Sequence, residues 1–574
     1  MKLLPQPEAL RRGGFGLPDL LVILAVLAAL GLIAHLGSEA MVRFQPPQIT
    51  PTVSLDPRNL PEYAARSTLR MFIALGCSTL FTLVYGSLAA HNRRAERVMI
   101  PLLDILQSVP VLGFLSITVT GFIALFPGSL LGLEAASIFA IFTSQVWNMT
   151  FCFYQSLRTV PKELAEAASL YRLSRWQRFT RLELPSAAIP LLWNAMMSFG
   201  GGWFFLAASE SISVLNQTYT LPGIGSYVAA AVAAREPRAL AWAVVTMAVV
   251  IVLVDQLFWR PLVAWSHRFR IEQSGAGDVS GSWVGGVLRS ARIPALLAEI
   301  LAPASDWFDR LLSVLLGRVS GSPVEPEAPG PDRLFDVALL AAVGLLLMVL
   351  LHFILVAVVP GELVSALRMA LHTLGRVVLL LVAATLIWTP IGVAIGFQPR
   401  LARLLQPLVQ FLASFPANFV FPFATLLFLR AHVPIGWGSI LLMALGAQWY
   451  ILFNTIAGAQ TIPSDLREMA DSVGLRGLER WRRLILPGIF SAWVTGGVTA
   501  SGGAWNASIL AEVVSWGDTT LRADGIGAYI AQATHEGDWP RIVLGIGLMS
   551  LFVVGFNRLV WRRLYALAER RYHL

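Results

Sequence analysis

The chain has 574 residues, 56% hydrophobic and 13% charged, with a formal net charge of +9. A soluble domain carries about 25% charged residues, so one aqueous core cannot absorb this composition and the bilayer must be the main solvent. The positive balance is arginine set beside apolar runs, a topology signal and not a nucleic-acid surface; the two cysteines, Cys77 and Cys152, lie inside apolar segments and support neither a disulfide framework nor a metal site.

A spanning helix needs roughly 20 mostly apolar residues. In chain order, spans are predicted at 18–36, 67–90, 103–126, 134–157, 186–208 and 239–259. A second set follows at 334–359, 370–396, 405–429, 436–458, 488–511 and 541–560. The fold class is therefore all-α, a polytopic membrane protein of about 12 transmembrane helices in two parallel six-helix repeats. The first apolar run exceeds the usual 7–15 residues of a signal core and reads as a retained anchor. Arg11 and Arg12, Arg93 to Arg97, Arg260 to Arg270, Arg400 and Arg403, and Arg562 to Arg571 all fall on one side. That side is the cytoplasm by the positive-inside rule, which puts both termini there.

Between the halves, Gln273–Ser282 and Ser320–Asp332 are rich in Gly, Ser, Pro and acidic residues and read as linker ends. The middle, Ile293–Leu316, is amphipathic and is expected on a membrane surface. The domains expected are an anchor with a periplasmic segment (1–66), a first membrane unit (67–265), a linker (266–333), an extra helix (334–369) and a second unit (370–574).

The halves repeat. Pro161-Lys162-Glu163-Leu164-Ala165-Glu166-Ala167-Ala168-Ser169, closing at Leu184-Pro185, returns as Pro463-Ser464-Asp465-Leu466-Arg467-Glu468-Met469-Ala470-Asp471, closing at Leu486-Pro487. The offset of 302 also relates Trp203 to Trp505, Glu210 to Glu512 and Gly223-Ile224-Gly225 to Gly525-Ile526-Gly527. Upstream it becomes 306, relating Pro101 to Pro407, Ser108 to Ser414 and Pro110 to Pro416. Both duplicated segments fall between spans on the cytoplasmic side, as twin docking points for a two-fold partner.

Ionisable groups inside a bilayer are costly. Glu210 and Glu512 close the fifth and eleventh spans, with Trp203 and Trp505 two turns earlier on the same helix face. Asn148 and Asn454 lie within spans. These six residues are the candidate translocation pathway, with the tryptophans near a gate; packing and interhelical hydrogen bonding are the competing reading. Arg70, Arg368 and Arg376 sit near span ends, where long side chains snorkel. No paired histidines stand at metal spacing, and the two lysines, Lys2 and Lys162, lie in no phosphate-binding loop. Catalytic and metal residues are not expected.

The duplicated segments resemble those of bacterial ABC importer membrane subunits, the binding-protein-dependent permeases. That family's cytoplasmic loop begins Glu-Ala-Ala, carries Gly four residues after the last Ala and closes with Leu-Pro. Here the matching positions are Glu166, Ala167, Ala168 and Pro185, and Glu468, Ala470, Gly474 and Pro487, with Glu163 and Asp465 in the same short helices. The first copy departs from the pattern with Arg172 where Gly is wanted, so its helix is expected to turn differently or dock less deeply. Ser108-Val109-Pro110, Ser414-Phe415-Pro416 and the terminal Tyr572-His573-Leu574 resemble the nitrate/sulfonate/taurine/bicarbonate branch, here with two units fused. The resemblance implies a type I importer-like permease for a small solute, such as a small anion. It also implies two ATP-binding subunits (a homodimer) carrying the ATP and Mg, a periplasmic solute-binding protein, and residence in the bacterial inner membrane. No cofactor is expected in this chain, and no nucleic acid. The rival is an ion-coupled secondary transporter with parallel repeats, which would want paired mid-membrane carboxylates.

Overall fold

The computed structural model describes residues 53–269, apart from 114, 128, 215 and 216, and residues 358–571, together with 283–290 and scattered helical positions elsewhere. The predicted spans at 18–36 and 334–359, most of the linker and Tyr572–Leu574 lie outside the described residues.

The first half runs α1 (Leu60–His91), α2 (Arg93–Ser108), α3 (Leu115–Leu125), α4 (Leu131–Arg158), α5 (Lys162–Leu170), α6 (Arg175–Arg178), α7 (Leu184–Ser209), the strands β1 (Ser211–Val214) and β2 (Gln217–Thr220), α8 (Ile224–Ala233), α9 (Pro237–Val254) and α10 (Arg260–Ser266). Helix α11 (Trp283–Ser290) belongs to the linker. The second half runs α12 (Pro360–Gly396), α13 (Pro399–Ser414), α14 (Phe421–Ala431), α15 (Ile435–Thr461), α16 (Ser464–Ser472), α17 (Gly477–Arg480), α18 (Leu486–Ala511), β3 (Val513–Trp516), β4 (Thr519–Arg522), α19 (Ile526–Glu536), α20 (Trp539–Phe556) and α21 (Arg562–Arg571).

Among the described residues, 7 helical stretches are long and apolar enough to cross a membrane. They contain the predicted spans at 67–90, 186–208, 239–259, 370–396, 436–458, 488–511 and 541–560. The span at 134–157 falls on α4. Local chemistry sets the ends. Pro61 opens α1; Asn92 ends it and caps α2 by accepting from the Arg94 and Ala95 N–H groups at 3.0 and 3.2 Å.

Two predicted spans need correction. Segments 103–126 and 405–429 are not single helices. Each breaks before a proline, where Val109 (φ −78, ψ 126) and Phe415 (φ −73, ψ 127) turn extended, because the pyrrolidine ring disfavours a helical residue before it. A single 3-10 turn then leads into α3 or α14. Four further elements were not predicted: the hairpins β1–β2 and β3–β4 and the short apolar helices α8 and α19 that follow them. In the hairpins Ser211 faces Thr220 and Val513 faces Arg522.

The two breaks seat each half against the other. Asn506 Oδ1 accepts from the Val111 N–H at 3.1 Å, and Asn418 Nδ2 donates to the Phe204 carbonyl at 3.1 Å. Within each half, Trp203 and Trp505 fill the core at 2% and 1% exposure. Four π-helical turns recur at matching places, Phe179–Glu183 with Trp481–Ile485 and Asp255–Trp259 with Asn557–Trp561.

The duplicated loops share one backbone. Helix α5 ends with the Leu173 N–H on the Ala168 carbonyl (3.1 Å) and the Arg172 N–H on that of Ser169 (3.0 Å). Helix α16 ends with Leu475 on Ala470 (2.9 Å) and Gly474 on Asp471 (3.1 Å). This is the Schellman closure, which needs a left-handed residue. Gly474 supplies φ 76 and Arg172 supplies φ 50. The first helix therefore turns as the second does, contrary to the expectation from Arg172. A Cβ in that region costs about 1 kcal/mol. Arg172→Gly is expected to stabilise the purified chain by about 1 kcal/mol, and Gly474→Arg to destabilise it by a similar amount; thermal melts of the two variants in one detergent check the opposite signs.

Candidate functional site

At the ends of α7 and α18 the chain must stop a spanning helix, turn through a hairpin and start a short buried helix. The first N–H groups of that helix need acceptors. Glu210, fully buried, accepts from the Gly225 N–H at 2.7 Å, Ser67 Oγ at 2.6 Å and Arg70 Nη1 at 2.6 Å. Ser67 Oγ also accepts from the Ile224 N–H at 3.0 Å. Glu512 repeats the arrangement with the Ala528 N–H at 3.1 Å, Thr373 Oγ1 at 2.7 Å and Arg376 Nη1 at 2.9 Å. The Ile526 N–H donates to Thr373 at 3.0 Å. Each carboxylate thus caps a helix and neutralises an arginine one turn from the hydroxyl on α1 or α12.

The Gly-x-Gly pairs exist for this packing. A Cβ on Gly223 would sit 2.3 Å from the Glu210 carboxyl, and one on Gly525 2.2 Å from that of Glu512. A Cβ on Gly225 would meet the Ala207 backbone at 2.6 Å.

The clusters differ in charge. Arg70 also forks onto Glu134 at 2.6 and 2.7 Å. Glu134 plus 302 or 306 gives Gly436 or Ile440, neither a carboxylate. The first cluster therefore holds two carboxylates on one guanidinium, and the second holds one.

The six residues of the pathway reading fall in different settings. Glu210, Glu512, Trp203 and Trp505 are buried inside their own halves and line no open surface. Arg70 and Arg376 do not snorkel; buried Arg70 and half-buried Arg376 are the partners of the glutamates. Asn454 is half-buried and donates to the Tyr450 carbonyl at 2.9 Å. Asn148 is exposed and accepts from Gln107 at 2.9 Å.

Between the halves lies a cavity of about 190 Å³ lined by Ala207, Ser211, Asn418, Phe419, Thr425 and Val514 among others. None of its lining residues is charged, and the buried Asn418 Oδ1 has no partner among the described residues. Nearer the loops, Met196 and Met197 close on Gln410, Ser414 and Tyr450 and leave about 30 Å³. Among the described residues, ion pairs cross the seam near the hairpins and near the loops. Arg235 meets Asp518 at 2.5 Å near the hairpins, and Arg562 meets Asp104 at 3.3 Å near the loops.

At the loop end, Glu163, Glu166, Asp465 and Glu468 are exposed, while Ala168 and Ala470 are buried at 7% and 2%. Ala167, Pro185 and Pro487 are half-buried. The tip of each turn is apolar and bare, with Tyr171 82% and Val473 71% exposed. The sequence reading missed Glu183, which is buried and pairs with Arg178 and His91, each at 2.9 Å. Its counterpart is Ile485, so comparing the copies gives no sign of it.

Comparison with known families supplies the affiliation. The family described as the binding-protein-dependent transport system inner membrane component matches residues 82–259 and again 388–573. The chain belongs to that family. A nitrate import permease protein of Leptolyngbya laminosa is 28% identical over 188 residues, 33% of this chain and 64% of the relative. A bicarbonate transport system permease protein of a Synechocystis strain is 30% identical over 176 residues, 31% of this chain and 60% of the relative. A putative aliphatic sulfonates transport permease protein of Bacillus subtilis is 28% identical over 179 residues, 30% and 60% of the two chains. The chain thus spans 60 to 64% of the length of these relatives.

Removing one partner of a buried ion pair costs about 3–5 kcal/mol. Arg70→Met, which strands Glu134 and Glu210, is expected to lower stability by about that much, whereas Glu134→Gln, which leaves the Arg70–Glu210 pair intact, should cost far less. Melting temperatures of detergent-purified variants test the ranking, and equal losses would contradict the charge assignment.

Proposed function

We propose that this chain is the membrane-spanning permease of an ATP-driven importer, with two permease units fused into one polypeptide. The observation that carries this reading is the pair of matching turns. Each family-matched half presents, at the same place, a short helix with buried small residues, an exposed glutamate and a bare apolar tip. A helix so built rests its small-residue flank on its own chain and offers its bare apolar tip to a cleft on a partner, while Glu166 or Glu468 pairs with basic groups there. Two such turns fit two copies of one ATP-binding subunit, which would bring the ATP and Mg.

In this proposal residues 67–265 and 370–574 are the two permease units, joined by 266–333. The loops face the cytoplasm and the hairpins face outward. Nucleotide binding draws the subunits together and the halves rock about the seam, since a ligand shifts an equilibrium only by binding one state better. The relatives' names point to a small anion, such as nitrate, bicarbonate or a sulfonate, as the solute class. No charged residue lines the inter-lobe cavity, so choice of solute falls to an external solute-binding protein.

Glu468→Arg is expected to abolish solute uptake and co-purification of an ATP-binding subunit at that turn, with normal amounts of the chain in the membrane. Uptake that persists in both Glu166→Arg and Glu468→Arg would remove the docking role, and uptake driven by an ion gradient without ATP would favour a secondary transporter.

A further inference from the structure

The two docking turns are braced by different means. In the second, Arg480 on α17 reaches back to Asp471 on α16 at 2.5 Å and ties the two short helices together. The first cannot do this. Position 169, the counterpart of Asp471, is a serine, and Arg178, the counterpart of Arg480, is engaged by Glu183 at 2.9 Å. Helix α6 is the 4-residue opening of a helical stretch that runs on through Phe179–Glu183 into α7, so its free end is the N-terminal one, where the first N–H groups need acceptors.

What lies against it is the linker. Trp176 Nε1 donates to Asp309 Oδ1 at 2.7 Å, and Ser174 Oγ lies 3.1 Å from Ser313 Oγ. Residues 309–313 are helical, so Asp309 and Ser313, four apart, share one face. Ser174 is the residue that caps α6, with Gln177 completing a capping box. The linker therefore grips the first turn at its cap and at its only indole. The second turn offers neither group at the matching positions, its own indole being Trp481, three residues further on. Arg476 and Leu478 stand at the matching positions, and Leu478 is 83% exposed. The apolar tip of the first turn, Leu170 and Tyr171, stays 82% exposed, so the linker braces the flank and leaves the tip open.

We propose that linker residues 309–313 are an internal brace for the first docking turn, replacing the Asp471–Arg480 pair of the second. The two ATP-binding subunits then meet unlike surfaces on one chain, and only the first position depends on the linker. This rests on the docking reading above.

The test has two arms. In membranes, Ser174→Cys with Ser313→Cys is expected to form a disulfide on mild oxidation, whereas Arg476→Cys with Ser313→Cys is not. Failure of the first pair to cross-link overturns the brace whatever the ATP-binding subunit does. In the second arm, the full chain is purified with the ATP-binding subunit that accompanies it. Wild type is expected to hold two copies, and Trp176→Phe with Asp309→Asn is expected to fall to one, a twofold loss. Adding Ser169→Asp with Glu183→Ile, which releases Arg178 and copies the second turn's own residues at both positions, should restore two. Undiminished occupancy in the Trp176→Phe/Asp309→Asn variant overturns the proposal, and so does the absence of rescue in a Ser169→Asp/Glu183→Ile background whose melting temperature matches wild type. Wild type bearing no ATP-binding subunit would defeat the docking reading and leave the cross-linking result to decide the brace alone.

Discussion

A helix that begins inside a bilayer must find acceptors for its first N–H groups, and water cannot supply them. In both halves a carboxylate meets that requirement, and much of the seam-side architecture follows. Glu210 and Glu512 can cap α8 and α19 only because Gly223, Gly225 and Gly525 leave room for the approach. Arg70 and Arg376 are the cations that pair with them, one turn along the helix from the Ser67 and Thr373 hydroxyls that donate to the same carboxylates. The same contacts hold the short helix, the end of the fifth or eleventh predicted span and the first spanning helix of each half as one body. In the first cluster all three nitrogens of Arg70 donate to the chain's own acceptors, Glu134, Glu210 and the Pro222 carbonyl.

The sequence was most informative where composition and repetition speak together. Apolar run length located α1, α7, α9, α12, α15, α18 and α20, because a bilayer imposes length and polarity at once. The 302-residue offset located both duplicated turns. It was least informative where one residue redirects the chain. Pro110 and Pro416 were noticed as repeated residues but not as breaks, since the flanking apolar runs are continuous. The hairpins were invisible because 4-residue strands have too little alternation to stand out from a span's end. Arg70 was misplaced because position along a span does not tell which side chain it will face 140 residues later. Glu134 and Glu183 could not be flagged by comparing the copies, as Ile440 or Gly436 and Ile485 stand opposite.

The copies preserve backbone and exchange chemistry. Arg172 and Arg235 occupy left-handed positions that Gly474 and Gly537 fill in the second half, with φ of 50 and 56 against 76 and 72. In each case the second half keeps the unstrained residue. The left-handed arginine at 235 has an evident return, because its side chain lies over Gly517 and pairs with Asp518 across the seam. For Arg172 no such contact is seen among the described residues. A paired homodimer cannot differentiate its two seams in this way; fusing the units lets each evolve separately.

The exchange of acids at the loop end follows the same logic. Arg260 in the first half pairs in cis with Asp255 at 3.0 Å. Its counterpart Arg562 has Asn557 at the matching place and takes Asp104 from the other half instead. At the corresponding place in the second half stands Gln410, which makes only a weak contact to Met196 sulfur at 3.2 Å. One seam is thus closed at the loop end by an ion pair and the other by apolar packing. The ion pair is largely solvent-exposed and such pairs contribute at most about 1 kcal/mol, so little stability is lost when it opens. Apolar packing opens only by exposing buried surface. If the halves rock, the Asp104–Arg562 side is the one with less to lose at the loop end, and the Met196 side is the better hinge.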